Sequence, residues 1–343
     1  MPRFTPRSIL VTGGAGFIGS HFVRHVLDTD TTVNVVNLDA LTYAGSRDNL
    51  EDVWDCERHT FIQGDICNQI LVRSIFGEYD IDTVVHFAAE SHVDRSIVGP
   101  GAFIRTNVQG TFALLEEARR FWLDEKQRDD ARCRFHHIST DEVYGALGPN
   151  DPPFTEATPY APNSPYSASK AAADHLVRAY QHTYHLPTTT TNCSNNYGPS
   201  QHQEKFIPTV IRACLQGKPI PVYGDGSNVR DWLYVDDHCA GVWKVITDGK
   251  IGETYNIGGS NSWSNIEIAR LLCRIVASVT EEQEEKFLKL IRFVPDRPGH
   301  DWRYAIDSRK IQTELAWQPA HEFEAGIRKT VEWYVSGKTA VNF

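Results

Sequence analysis

The seven cysteines of this chain stand at positions 56, 67, 133, 193, 214, 239 and 273, and none falls in a C-x-x-C or other metal-ligand spacing. An odd, scattered set of this kind reads as reduced thiols, so neither a disulfide framework nor a metal site is expected. No apolar run approaches the ~18 residues that a membrane-spanning helix needs. MPRFTPR passes directly into a strand-like run without the apolar stretch of a signal peptide, and the expected compartment is the cytoplasm. No internal repeat is visible. Positive charge is also short: 34 Lys and Arg stand against 44 Asp and Glu, a formal net charge of -10. That balance argues against a general nucleic-acid binder, and any anionic substrate must be held by a local cluster of Arg, Lys and backbone N–H groups. The acidic run EEQEEK (281–286) reads as a solvated face.

What is present is an alternation of strands and helices. SILVT (8–12) is almost continuously apolar, and FIGSHFVRHVLD (17–28) follows with helical periodicity. VNVVNLD (33–39), HTFIQGD (59–65), DTVVHFA (82–88) and CRFHHIS (133–139) read as further strands, with long helices near 102–122 and 166–185. Such alternation predicts an α/β fold, a Rossmann-type doubly wound parallel sheet with helices on both faces. After TTTTNCS (188–194) the pattern changes: Pro, Gly and Asn become dense, and shorter helices are expected at 206–216, 236–248, 264–278 and 322–336. The expected division is a dinucleotide-binding domain over 1–190 and a smaller C-terminal substrate-binding lobe over 191–343, with chain crossings between them.

Gly13-x-x-Gly16-x-x-Gly19 lies in VTGGAGFIGS, between the first strand and the first helix. Glycine permits the tight turn and the close backbone approach, and the helix N-terminus favours a pyrophosphate. Asp39 follows Gly19 by 20 residues, at the end of the second strand, where a carboxylate accepts the adenosine ribose hydroxyls. An acid there repels a 2′-phosphate and no Arg follows it in DALTYAG, which favours NAD over NADP. Asp65 and Ile66, after the third strand, either meet the adenine edge or simply end a strand.

Tyr166-x-x-x-Lys170 opens a helix in SPYSASKAAADHLV, and that spacing puts phenol and ammonium on one helical face. A free phenol, with a pKa of about 10, is too weakly acidic to serve as a base at neutral pH. A nearby Lys and a positive nicotinamide both favour the phenolate. Thr140, at the end of the preceding strand, can offer a hydroxyl to the same substrate oxygen. These groups suit alcohol oxidation and leave Asp141 and Glu142 without a task. The two acids are either a solvated pair after a strand or a second acid–base apparatus.

The glycine triplet, Thr140 and Tyr166-x-x-x-Lys170 together resemble the extended short-chain dehydrogenase/reductase family. More narrowly, TYAG (42–45), AAESHVDRSI (88–97), HHISTDEVYG (136–145), YAPNSPYSASKAAADHL (160–176), TNCSNNYGP (191–199), RDWLYVDDH (230–238), YNIGG (255–259) and DRPGHDWRYAID (296–307) resemble dTDP-glucose 4,6-dehydratases. The resemblance implies conversion of dTDP-glucose to dTDP-4-keto-6-deoxyglucose with NAD, for deoxysugar (rhamnose-type) biosynthesis. It gives Tyr166 the C4 hydroxyl proton, Glu142 the C5 proton and Asp141 the protonation of the departing 6-hydroxyl, with Lys170 tuning Tyr166 and holding the nicotinamide ribose. It also extends the cofactor site to Phe17, Ile18, Thr42, Ala88, Ala89, Thr106 and Asn196. A sister 4-epimerase or a UDP-sugar 4,6-dehydratase is the alternative on the same scaffold, and the Asp-Glu pair separates the epimerase, which leaves C6 untouched.

For a nucleotide-diphosphate sugar the expected grip comes from Arg230 and Arg297, which can meet a pyrophosphate bidentately. Lys205, Asn195 and Asn265 add donors, and Ser91 is placed for the sugar hydroxyls. The resemblance adds Phe206, Pro221 and Tyr223 around the base, with His300 nearby. Two departures from the family pattern lie close by: Ser200, Gln201, His202 and Gln203 replace an aromatic-rich run, and Trp302 stands where a basic residue is usual. The helices near 102–122 and 166–185 carry apolar residues on more than one face, among them Phe112, Leu114, Leu115, Leu176, Val177 and Tyr180. Paired with their copies, as the family does, they would form a four-helix homodimer interface.

Overall fold

The computed structural model describes residues 3–129, 131–296 and 300–337. In chain order its strands are β1 (Ser8–Thr12), β2 (Asn34–Asp39), β3 (His59–Gln63), β4 (Thr83–His86), β5 (Arg134–Thr140) and β6 (Thr188–Cys193). There follow β7 (Asn195–Tyr197), β8 (Ile220–Tyr223), β9 (Val229–Tyr234), β10 (Thr254–Ile257), β11 (Ser262–Ser264) and β12 (Ile291–Val294). Seven of these form one sheet in the order β10-β6-β5-β4-β1-β2-β3, and every neighbouring pair is parallel. The expected doubly wound α/β sheet is therefore present. Its strand order reverses between β1 and β4, which opens a crevice beyond their C-terminal ends.

Alternation along β1 sends side chains to both faces. Ile9 and Val11 pack with Phe22, Val23 and Val26 of helix Phe17–Thr29, while Leu10 joins Ile75 and Phe76 of helix Gln69–Glu78 and the buried Trp122. The interior of β5 and β6 is more polar than a buried parallel strand usually is. All six residues of β6 are buried, four of them threonines, and the His136 ring bridges Thr189 Oγ1 at 2.9 Å and Thr191 Oγ1 at 3.2 Å. Hydrogen bonding within the sheet is what makes that polar core tolerable.

The long helical run over 100–125 is not uniformly α-helical. Two π-helical stretches, Ile104–Gly110 and Arg119–Glu125, flank the α-helical Thr111–Ala118. Helix Pro165–Tyr184 begins on a capping box between Ser164 and Ser167, with Pro165 in its first turn, and stops where His185 turns left-handed. Its direction and start are thus set locally.

Beyond β6 a second core forms. Helices Phe206–Gln216, Asn265–Thr280 and Phe323–Val335 pack around Trp232 and Tyr234 of β9 and Val222 of β8. Strands β11-β9-β7 and the pair β12-β8 make two small sheets there. Between them the chain returns to the first core: helix Val235–Asp248 packs among Phe22 and Val26, and β10 joins the edge of the large sheet beside β6. No helix among the described residues is long and apolar enough to cross a membrane.

Candidate active site

The turn after β1 shows why glycine is needed there. Gly13 has φ +73°, and a Cβ at that position would fall 2.6 Å from the backbone N of Ala88, at the end of β4. A Cβ on Gly19 would sit 2.2 Å from the Gly13 carbonyl oxygen. Both glycines therefore let β1, helix Phe17–Thr29 and β4 converge more closely than any side chain allows. The helix starts at Gly16, carries no acid in its first turn and has no side-chain cap, so its N–H groups suit an anion. Asp39 braces this turn from β2: it accepts from Ala15 N at 2.9 Å and from Leu41 N at 2.8 Å. Burial holds its carboxyl above the usual range.

These residues border a cavity of about 470 Å³ at the crevice between β1 and β4. Every residue assigned to the cofactor lies on its wall: Gly13, Gly16, Phe17, Ile18, Gly19, Asp39, Thr42, Asp65, Ile66, Ala88, Ala89, Thr106, Tyr166, Lys170 and Asn196. Asp65 also pairs with Arg105 at 2.7 Å. The chemistry of this wall fits a dinucleotide: a glycine turn at a helix N-terminus, an acid at the end of β2, and a Tyr–Lys helix opposite.

Tyr166 and Lys170 lie one turn apart on the buried face of helix Pro165–Tyr184. Lys170 Nζ donates to the Ile138 carbonyl at 2.6 Å. The Thr140 hydroxyl favours the ionised form of the Tyr166 phenol. One expectation needs correction here. Burial first, and then the Glu142 charge, push the Tyr166 phenol well above its ordinary value, and the lowering by Thr140 does not offset them. Burial also lowers the Lys170 ammonium, which is engaged with a carbonyl. An added positive charge over the phenol would bring it down.

The two acids after β5 have unlike surroundings. Asp141 is 2% exposed, and burial followed by the neighbouring Glu142 and Asp231 charges pushes its carboxyl well above the usual range. Its Oδ1 accepts from Thr140 Oγ1 at 3.4 Å, and Oδ2 has no partner. Glu142 is half-buried and forms part of the cavity wall. A solvated loop pair is therefore excluded. Of the pair, only Glu142 borders the cavity; Asp141 is sealed behind it with its carboxyl biased toward the neutral form.

The residues assigned to the substrate divide. Ser91, Asn195 and Lys205 border the cavity, with Lys205 Nζ donating to Ser91 O at 3.1 Å. Phe206, Pro221, Tyr223, Arg230, Asn265 and His300 do not. Arg230 is buried, donates to the carbonyls of Val229, Asp301 and Trp302, and lies 4.4 Å over the Tyr304 ring. Its influence reaches Asp141, whose carboxyl it pulls down. Tyr223 is exposed at the end of β8 and meets the His300 ring edge-on, while His300 Nδ1 bonds Asp296 at 2.6 Å. Asn265 opens helix Asn265–Thr280. Arg297 lies outside the described residues. Glu90, Ser139, Cys193, Gln201 and His202 also line the cavity and were not anticipated as site residues. Gln201 and His202 had been noticed only as departures from the family pattern, which was the available signal.

A family model described as GDP-mannose 4,6 dehydratase matches residues 10–330 of the chain. The chain belongs to that family. Within it, the dTDP-glucose 4,6-dehydratase of Neisseria gonorrhoeae is 55% identical over 336 residues, 97% of this chain and 97% of its own length. Dehydratase 1 of that name from Escherichia coli strain K12 is 55% identical over 338 residues, covering 96% and 92%. Among solved structures, the dTDP-glucose 4,6-dehydratase of Streptomyces venezuelae, crystallised with NAD, has a TM-score of 0.86 at 45% identity and covers 96% of this chain and 98% of that one. The resemblance to these 4,6-dehydratases thus extends along almost the whole chain.

Proposed function

We propose that this chain dehydrates dTDP-glucose to dTDP-4-keto-6-deoxyglucose with NAD as a recycled cofactor. The observation that carries the reading is the unlike pair Asp141 and Glu142 set beside Thr140, Tyr166 and Lys170. Bound NAD supplies the hydride acceptor for C4 and later the hydride donor for C6, and its positive ring is the charge that favours the Tyr166 phenolate. Tyr166 takes the C4 hydroxyl proton while Thr140 orients that oxygen. The resulting ketone acidifies the C5 hydrogen, and Glu142, the carboxylate on the cavity wall, removes it. Asp141, held neutral by burial, gives its proton to the departing 6-hydroxyl, so water leaves rather than hydroxide. Glu142 returns a proton to C5 as hydride reaches C6. Oxidation and reduction cancel over the cycle.

Gly13, Gly16 and Gly19 would hold the pyrophosphate, Asp39 the adenosine ribose and Lys170 the nicotinamide ribose. Ser91, Asn195 and Lys205 would face the sugar and its diphosphate. Arg230, Tyr223, Asn265, His300, Phe206 and Pro221, with Arg297, would serve the nucleotide end. Incubation with dTDP-glucose and UDP-glucose side by side tests the whole. Loss of water, a new C6 methyl signal and solvent deuterium at C5 are expected with dTDP-glucose, whereas inversion at C4 with C6 intact would mean an epimerase. Glu142→Gln should keep NAD and stop before water is lost. Full product from that variant would remove Glu142 from its role.

The reading includes a homodimer, and the free cysteines suit a cytoplasmic setting. Of the apolar residues named for a four-helix interface, several are already covered. Leu114, Leu115, Val177 and Tyr180 are buried within one chain, in the core on one face of the sheet. Ile104, Phe112 and Tyr184 are the exposed large apolar residues on these helices among those described, and Ile97 and Val98 are exposed on the separate helix Val93–Val98. Light scattering of Phe112→Asp beside the unmodified protein should show a smaller mass for the variant. Equal monomer masses would count against the dimer.

A further inference from the structure

Behind Lys170 lies a buried polar cluster to which the reaction assigns no task. Tyr166, Lys170 and Asp174 recur at four-residue spacing on helix Pro165–Tyr184, and all three are at least nine-tenths buried. Each faces β5. Asp174 Oδ1 bonds His137 Nε2 at 3.0 Å, and Oδ2 accepts from Ser139 Oγ at 2.7 Å. Lys170 Nζ takes the carbonyl between them, that of Ile138. Three consecutive residues of β5 are thereby tied to two charged residues of the helix. Thr140 ends the strand, and Asp141 and Glu142 follow it directly.

The groups around Lys170 come from every element packed on it. Tyr166 and Asp174 share its helix; His86 comes from β4, His137 from β5 and Cys193 from β6. His86 is bound to Thr12 Oγ1 at 2.7 Å and Thr111 Oγ1 at 2.9 Å, and burial keeps it neutral. His137 is lowered by burial and by Lys170 itself. Burial pushes the Cys193 thiol up to about 12. Against the cost of burying an ammonium, the strongest opposing influence on Lys170 is the Asp174 carboxylate.

We propose that Asp174 is a positioning residue for C4 oxidation, its carboxylate balancing the buried Lys170 charge while clamping β5 to the Tyr166 helix. This rests on the assignment of Tyr166 and Lys170 to that oxidation. An isolated buried charge is far more costly than a compensated or absent pair, so the two residues should behave as one unit.

Two measurements test it. In the holoenzyme, the C4 oxidation half-reaction with dTDP-glucose is followed by NADH absorbance across pH. Asp174→Asn should bring the alkaline limb down by about one pH unit, because Lys170 then loses its proton sooner, and Asp174→Glu should restore it. A limb in Asp174→Asn that coincides with the unmodified enzyme overturns the proposal. Thermal melting supplies the second arm and needs no activity. Lys170→Met should melt below the unmodified protein, and adding Asp174→Asn to it should recover part of the loss. A double variant that melts no higher than Lys170→Met alone overturns the pairing. Should the unmodified enzyme form no keto-sugar, the functional reading falls, and melting still judges the pair.

Discussion

The cofactor side and the substrate side of this molecule are organised differently. On the cofactor side, every assigned residue borders one cavity. On the substrate side, only Ser91, Asn195 and Lys205 do, and the other described residues sit on β8, on β9, at the starts of two helices and in the loop after β12. Much of the first group lies at or just beyond strand ends of one parallel sheet, and Tyr166 and Lys170 lie on a helix packed against it. The second group depends on how a separate core of helices and two small sheets packs, which is a tertiary property. The proposed cofactor site is thus gathered around one cavity, while the proposed nucleotide site draws on several separate parts.

That contrast can be broken from either side. Of the substitutions, Gly19→Ala should have the largest effect on ligand affinity, since its Cβ would meet the Gly13 carbonyl oxygen at 2.2 Å. Strain of about 1–3 kcal/mol corresponds to a loss of about 5- to 150-fold in NAD affinity, readable as NAD content after gel filtration. Acid acts on stability rather than on ligand affinity, and it should strike the cofactor side. Burial lowers His86, His136, His137 and His238, the last to about 3. The unfolded chain takes up these protons first, so stability should fall as pH drops below about 6.5, by about 1.4 kcal/mol per pH unit for each such histidine. Urea melts at stepped pH check this, and a flat profile between pH 6.5 and 4 would contradict it. Tyr223→Ala should be the mildest: a lost aromatic contact of about 0.5–1.5 kcal/mol raises KM for the sugar nucleotide about 3- to 10-fold. NAD content should not change. A fall in NAD content would mean that the two sides are not separable.

The same difference governs what could be read without coordinates. The turn at Gly13–Gly19, Asp39 and the Tyr166–Lys170 stripe are local or strand-end features, and sequence spacing alone locates them. Asp141 and Glu142 are adjacent, and only the fold shows that one is sealed in the interior and the other borders the cavity. The inward direction of Leu114, Leu115, Val177 and Tyr180 was not legible either, because a helix apolar all round does not reveal which face meets its own chain. Arg230 looks in sequence like a loop cation. In the fold it lies on β9, beneath three carbonyls and over a ring, which no spacing rule could supply. Asp174 has no motif at all. Its place emerges only when helix and strand are laid together.

Asp39 has an implication for how readily this enzyme could change its diet of reducing equivalents. An engineer wishing to recruit the phosphorylated cofactor would begin by removing that acid, to make room for a 2′-phosphate. Here both of its oxygens already fasten backbone, at Ala15 and Leu41. The substitution that admits the new cofactor would therefore slacken the loop meant to receive it. A switch of preference has to arrive with a replacement brace, so it is a two-step path with a poor intermediate. Lineages and laboratories alike should find this choice of NAD slow to revise.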